Sequence, residues 1–307
     1  MKISILGAGA YGSALGNVLK ENDHKTKYYD PAKHPNTSLE EVLAWGEIIL
    51  IAVPASVIRI LLKEFPDEAF RKPVLITTKG IMNLDAWSRF GYFELISGAG
   101  FADDIKNHKR TKLTVAARGA LQGTTLAEDL LETSYLKFDK TEDLQGVALL
   151  SGLKNIFAIE SGRRSLESPT KEFKEYLAAA YRECEQILLE NGGFIETARL
   201  SAGLGDLALT CGSTKSRNYQ FGIVLSGHNG LLEREDNLRK NHQSLPRKRT
   251  VKISRKVALK DARKFLNTTT VEGVFAAKEI HDQGIIIPKK KAEILTDILK
   301  RISYVTK

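Results

Sequence analysis

Over residues 1–140, short apolar runs alternate with segments of helical spacing. Residues 2–6 (Lys-Ile-Ser-Ile-Leu) read as a buried strand, then come Gly7, Gly9 and Gly12, and residues 13–20 have helix character. Tyr28 and Tyr29 close a second strand that ends at Asp30. Residues 48–53 read as a strand stopped by Pro54, residues 56–63 have helical spacing, and residues 74–78 form a strand followed by Lys79 and Gly80. Residues 93–96 lead into Gly98 and Gly100, and residues 113–117 and 135–138 add two more strands. Apolar strands alternating with helices predict an α/β domain: a doubly wound, mostly parallel sheet covered on both faces. From residue 141 the pattern changes. Residues 144–160 and 171–190 read as long helices and few strand signals follow, so residues 141–307 are expected to form an all-helical domain. No Pro/Gly/Ser-rich connector separates the halves, which puts the boundary inside a helix, and there is no internal repeat.

Composition fits this picture without sharpening it. The chain has 307 residues, 42% apolar and 27% charged, the balance of a soluble globular protein of two domains. Cys184 and Cys211 cannot build a disulfide framework and fit a reducing compartment. No apolar run reaches the roughly 20 residues of a membrane span, and the chain opens on a strand rather than a signal peptide, so a cytoplasmic protein is expected. The net charge of +9 is local: residues 231–264 carry twelve Lys or Arg against four Asp or Glu, and the rest is nearly neutral. A solvated basic segment is the plain reading, with attraction of phosphorylated ligands or contact with anionic lipid or protein as alternatives. Nucleic-acid binding is not expected, because neither aromatic interleaving nor a binding motif accompanies the charge. The six histidines form no metal motif and neither cysteine has a C-x-x-C partner, so no metal is expected.

Residues 7–12, Gly-Ala-Gly-Ala-Tyr-Gly, match G-x-G-x-x-G between a strand and a helix. In that setting the motif signals a Rossmann-like dinucleotide site: Gly7 for the tight turn, Gly9 for approach of the pyrophosphate, Gly12 for helix–strand packing, and the helix start for the phosphates. Asp30, 23 residues after Gly7, can accept hydrogen bonds from ribose hydroxyls and repels a 2′-phosphate, so NAD is expected in preference to NADP.

Three further segments are chemically loaded. Thr77-Thr78-Lys79-Gly80 lies at the carboxyl end of a strand, where open sheets gather ligands. Gly152-Leu153-Lys154-Asn155-Ile156 places a lysine in an otherwise apolar helix, where a lysine seldom stays without a partner or a task. Gly203-Leu204-Gly205-Asp206-Leu207, Thr210 and Ser216-Arg217-Asn218 bring groups suited to a small anion. With the glycine motif, Ala52-Val53-Pro54, Cys211, Phe221-Gly222 and Val271-Glu272-Gly273, the chain resembles the bacterial-type NAD(P)-dependent glycerol-3-phosphate dehydrogenase family over almost its whole length. The order and spacing of these pieces carry the resemblance, not any one of them.

The resemblance implies reversible reduction of dihydroxyacetone phosphate to sn-glycerol 3-phosphate, supplying phospholipid synthesis, in a homodimer. It implies Lys154 as the catalytic proton donor and Lys79 and Asp206 as its companions, with Lys79 lowering the Lys154 pKa by like-charge repulsion and Asp206 opposing it. It places Lys79, Gly98, Gly100, Asp206, Thr210, Ser216, Arg217 and Asn218 toward the substrate. It places Gly7, Gly9, Ala10, Tyr11, Gly12, Asp30, Val53, Pro54, Lys79, Ala102, Arg217, Thr270 and Glu272 toward the cofactor. Three features depart from the family. The stretch after Asp30 is short, running from Pro35 almost directly into Leu39. Ser97-Gly98-Ala99-Gly100-Phe101-Ala102 stands where the family usually reads Ser-Gly-Pro-Ser-Phe-Ala, so a hydroxyl is lost and a freer loop is expected. Residues 231–264 look inserted. The alternatives are a related hydroxyacid or sugar-phosphate dehydrogenase, which would not usually carry the Gly-Asp-Leu and Ser-Arg-Asn segments together, and a degenerate cofactor-binding regulatory protein.

Overall fold

The structure, a computed structural model, describes residues 1–80, 84–226, 255–288 and 291–306. Most of the basic stretch, residues 231–254, lies outside the described residues. The chain divides into two compact units: Met1–Ser151 with Leu188–Asp206, and Gly152–Ile187 with Leu207–Lys307.

The first unit is built on seven strands: β1 (Lys2–Leu6), β2 (Lys25–Tyr29), β3 (Ile48–Ile51), β4 (Val74–Ile76), β5 (Phe93–Ser97), β6 (Thr111–Ala116) and β7 (Leu136–Thr141). Their order is β2-β1-β3-β4-β5-β6-β7. All neighbours are parallel except β5 and β6. Helices α1 (Ala10–Glu21), α2 (Leu39–Trp45), α3 (Ala55–Leu61), α4 (Ala102–Lys106) and α5 (Leu126–Leu131) belong to this unit. Alternate strand residues feed two separate cores. Ile3, Ile5, Ile48, Leu50 and Leu75 pack with Leu15, Val18 and Leu19 of α1. Leu6, Ile49, Ile51, Val74 and Ile76 pack with Val42 and Leu43 of α2 and Ile58 and Leu61 of α3. Period-two side chains covered on both faces explain why these strands read as unbroken apolar runs.

Two ionisable side chains in this unit close helix ends, one buried and one half-buried. Glu94 on β5 is fully buried and accepts the Leu126 and Ala127 N–H groups at 2.7 and 2.8 Å, with the Tyr92 hydroxyl donating at 2.6 Å. Burial raises its pKa above the usual 4.5. At the other end of a helix, the Lys72 ammonium donates to the carbonyls of Leu43 and Gly46 at 2.6 and 2.5 Å, covering the open end of α2.

α6 (Leu144–Arg163) runs out of the first unit and α7 (Lys171–Glu190) runs back into it. The returning residues 188–206 are sewn to the sheet. Asp143 accepts the Phe194 N–H at 2.8 Å and the Thr197 hydroxyl at 2.7 Å. The Ser201 N–H reaches Asp139 at 3.0 Å, and the Ala202 N–H reaches the Thr114 hydroxyl at 2.9 Å. A single division after residue 140 does not contain this return.

The second unit holds the remainder of α6 and α7 with α8 (Asp206–Cys211, its first residue counted with the sheet unit), α9 (Arg217–Leu225), α10 (Arg255–Thr268), α11 (Glu272–Asp282) and α12 (Glu293–Thr306). α6 and α9 touch backbone to backbone: a Cβ on Gly162 would stand 1.9 Å from the Tyr219 carbonyl oxygen, and one on Gly222 would stand 2.0 Å from that of Ile159. The Ser161 hydroxyl donates to the Cys211 carbonyl at 2.8 Å, and the Tyr176 hydroxyl to that of Phe157 at 2.6 Å. Glu183 accepts the Ile294 and Leu295 N–H groups at 2.8 and 3.0 Å and so ties down the first turn of α12. No helix among the described residues is long and apolar enough to cross a membrane.

Candidate functional site

The glycine turn sits where β1 hands over to α1. β1 and β2 are in parallel register with Leu6 opposite Tyr29, and the Gly7 N–H donates to the Tyr29 carbonyl at 2.8 Å. Gly7 has φ +103°, a conformation side chains disfavour, and a Cβ there would meet the Ala52 oxygen at 2.8 Å. On Gly12 a Cβ would stand 2.1 Å from the Gly7 oxygen, whereas on Gly9 it would meet nothing within 4 Å. Gly7 and Gly12 therefore shape the turn, while Gly9 keeps its outer side open. α1 has Gly9 as a cap without a side-chain bond and no acidic residue in its first turn. Its leading N–H groups, starting with those of Ala10 and Tyr11, suit an anion, so these residues fit a dinucleotide pyrophosphate.

Asp30 faces this turn. Its carboxylate accepts the Ala8 N–H at 2.8 Å and the Ala32 N–H at 3.1 Å, and the Lys33 ammonium donates to the Ala8 carbonyl. An ionised carboxylate has about four acceptor sites, so two backbone bonds leave capacity for a hydroxyl. Lys33, three residues beyond Asp30, went unmarked in the sequence, where it reads as one lysine among many. Val53 is half-buried, with Cγ1 3.1 Å from where a Gly7 Cβ would be, and exposed Pro54 caps α3.

In the first unit Tyr11 lies in the field of both Lys79 and Asp206. The Lys79 ammonium lies 5.2 Å from the Tyr11 ring centroid, within cation–π range. The Tyr11 hydroxyl is buried without a hydrogen-bond partner among the described residues. Burial pushes its pKa up, the Lys79 charge works against that, and the Asp206 charge adds to it. Asp206 is 1% exposed and opens α8 directly after a π-turn whose Gly203 is non-helical. Gly80, after Lys79, is bonded to Ser151 of α6.

The loop from Gly98 to Ala102 corrects an expectation. Where two substitutions suggested added freedom, the Ala99 N–H donates to the Ser201 hydroxyl at 3.1 Å and the Gly100 N–H to the Gly98 carbonyl at 2.9 Å. A Cβ on Gly100 would press on Thr111 Cγ2 at 2.7 Å, so a side chain here would have to displace that methyl. Ala102 starts α4. The neighbouring Ser97 hydroxyl is buried and unpartnered among the described residues, which no pattern along the chain signals.

In the second unit Lys154 is 2% exposed on α6. The next residue, Asn155, begins a polar chain. The Asn218 amide donates to Asn155 Oδ1 at 2.9 Å and accepts the Gly273 N–H at 2.8 Å. These two bonds fix the orientation of Asn218, because a flipped amide would face donor with donor at Gly273. Glu272 lies 3.5 Å from Asn155 Nδ2 and 3.7 Å from the half-exposed Arg217 guanidinium, both outer-limit distances. Ser216 caps α9, its hydroxyl accepting the Tyr219 N–H at 3.3 Å. Thr210 is buried and Thr270 is exposed just ahead of α11. The structure thus joins Tyr11, Lys79 and Asp206 in one unit, and Asn155, Arg217, Asn218 and Glu272 in the other. Asn155 stands inside a quoted motif, yet only its contacts reveal it as the junction.

A family model described as NAD-dependent glycerol-3-phosphate dehydrogenase C-terminus matches residues 143–252. Glycerol-3-phosphate dehydrogenase (NAD(P)+) from Acholeplasma laidlawii is 28% identical over 260 residues, covering 73% of this chain and 78% of that protein. Its counterpart from Paracoccus denitrificans is 29% identical over 269 residues, covering 73% and 80%. The crystal structure of glycerol-3-phosphate dehydrogenase from Coxiella burnetii superposes with a TM-score of 0.71 at 22% identity, covering 100% of this chain and 98% of that one, which speaks for the fold.

Proposed function

We propose, from the premise that this chain belongs to the NAD(P)-dependent glycerol-3-phosphate dehydrogenase family, that it reversibly reduces dihydroxyacetone phosphate to sn-glycerol 3-phosphate. The observation that carries the reading is Lys154, an ammonium-bearing side chain 2% exposed on α6, one residue before the Asn155–Asn218 chain. Burying a lysine is costly, and proton transfer is the task that justifies it here. When bound, the dinucleotide supplies the hydride.

The residues divide the remaining work. Lys154 Nζ gives a proton to the ketone oxygen during reduction and takes it back from the C2 hydroxyl in reverse. Arg217, half-exposed, offers the guanidinium fork that suits a phosphate. Asn218 has one amide N–H beyond the one held by Asn155. Within the second unit Thr210 and the Ser216 hydroxyl add polar groups, and within the first Lys79 and Asp206 do so. The open side of Gly9 and the uncapped start of α1 support binding of the pyrophosphate, and Asp30 supports NAD over NADP. Kinship is the ground for expecting a cytoplasmic homodimer that feeds phospholipid synthesis.

The test is oxidation of NADH by dihydroxyacetone phosphate, repeated with NADPH and with a hydroxyacid-derived ketone. Turnover with NADH and the phosphorylated ketone supports the reading. Its absence with active turnover of the unphosphorylated ketone overturns it, and equal or better use of NADPH overturns the role of Asp30.

A further inference from the structure

We propose that Ser151 is a positioning residue for Lys79: its hydroxyl holds the Gly80 backbone, accepting its N–H and lying within donating distance of its carbonyl, and thereby sets the direction in which the Lys79 ammonium leaves the turn. The inference rests on reading Lys79 as ligand-facing. Ser151 lies 71 positions from Gly80 in sequence, is 2% exposed, and sits on α6. A serine inside a helix ordinarily bonds back to its own helix, and Ser151 has that option in the Ala148 carbonyl at 2.8 Å. The same oxygen also lies 2.8 Å from the Gly80 carbonyl and accepts the Gly80 N–H at 3.2 Å. A hydroxyl has one proton and two lone pairs, so it can accept from Gly80 while donating to either carbonyl.

Gly80 is the residue that needs this grip. Its φ is +147°, and a Cβ would come 3.0 Å from Ala55 Cβ. Glycine fits there, but glycine also moves most freely through φ/ψ space, so the peptide after Lys79 has little intrinsic stiffness. Buried bonds from a helix supply it. With Gly80 held, Lys79 keeps its ammonium 5.2 Å from the Tyr11 ring centroid, in the charged group that includes Asp206. Released, the turn samples other directions and the ammonium is correctly aimed for only part of the time.

The test compares wild type, Ser151→Ala, Ser151→Cys, Lys79→Ala and the Ser151→Ala/Lys79→Ala double variant, each checked for folding by circular dichroism. In the first arm, acetic anhydride labels lysines of the ligand-free protein and mass spectrometry reads the rate at each site. Ser151→Ala is expected to change the Lys79 rate about threefold or more while Lys20 and Lys112 stay constant, with Ser151→Cys in between. The second arm measures KM and kcat with dihydroxyacetone phosphate and NADH. Weakening of the Lys79 contact by the equivalent of one net hydrogen bond corresponds to about a 3- to 10-fold rise in KM for the ketone, with kcat and the KM for NADH within about twofold. In the Lys79→Ala background the same substitution is expected to add almost nothing, because its effect passes through Lys79. An unchanged Lys79 labelling rate in a folded Ser151→Ala or Ser151→Cys protein overturns the proposal, and so do fully multiplicative losses in the double variant. If wild type does not turn over dihydroxyacetone phosphate, the proposed function fails, and the labelling arm alone decides the role of Ser151.

Discussion

Replacing Asn218 separates architecture from ligand capture. The Asn218 side chain is 5% exposed, and its two ends hold two other buried groups, the Gly273 N–H at 2.8 Å and Asn155 Oδ1 at 2.9 Å. Gly273 lies in the first turn of α11, whose Val271 cap has no side-chain bond. Asn218 thus serves as a remote cap for that helix. Asn218→Ala leaves the buried Gly273 N–H without its acceptor, and leaving a buried polar group unsatisfied costs about 1–3 kcal/mol, which is the expected loss. Losing a local cap costs a comparable amount, about 0.5–2 kcal/mol. Asn218→Asp should behave differently. It keeps an oxygen for Gly273 at a helix start, where negative charge is favourable, while its second oxygen faces Asn155 Oδ1. Part of the stability is therefore expected to return, while the added negative charge next to Arg217 is expected to raise the KM for the phosphorylated ketone. Urea unfolding followed by circular dichroism reads the first quantity, and steady-state kinetics the second. A loss below about 1 kcal/mol in Asn218→Ala, or an Asp variant no more stable than the Ala variant, would refute the capping argument.

Three further outcomes follow from the structure. Lys154→Ala should leave NADH binding, read by fluorescence titration, nearly intact and lower turnover by about 10²–10⁴-fold, so near-normal turnover removes its assignment. Gly9→Ala, whose Cβ meets nothing within 4 Å, should keep the wild-type melting temperature yet weaken NADH binding, whereas Gly12→Ala, 2.1 Å from the Gly7 oxygen, should melt lower; the reverse order would contradict the division of roles among these glycines. Glu94 has its folded pKa raised above 4.5 by burial, so its contribution to stability is fully present below that value and is lost as pH rises through the folded pKa. Urea midpoints of wild type should fall over that rise relative to those of Glu94→Gln, and parallel curves would show that Glu94 does not drive the dependence.

The sheet was legible because its physics is local and repetitive. An apolar strand covered on both faces announces itself residue by residue, as residues 48–51 do, and the glycines at 7, 9 and 12 announce the turn by spacing alone. The families of contacts that span the chain were not legible. Nothing around Ser201 signals that its hydroxyl supports Ala99, 102 positions away. Gly100 reads as a lost serine and added freedom until Thr111 is seen against it, because a steric limit belongs to the neighbour and not to the residue. Asn155 and Asn218 share no sequence pattern, and their pairing exists only once α6 and α9 pack. The candidate residues were found by motif, but the hydroxyls and amides that hold them were not.

The return of residues 188–206 to the sheet has a consequence for the nascent chain. When a ribosome has delivered every strand through β7, the sheet still lacks Ser201 to engage Ala99, and Asp139 and Asp143 have not met Ser201, Phe194 and Thr197. Completion waits while the start of the second unit, from Gly152 to Ile187, is synthesised. A gene fragment stopping at Ser151 would leave those carboxylates facing water, so a recombinant sheet unit requires residues 188–206 to be grafted back by a linker.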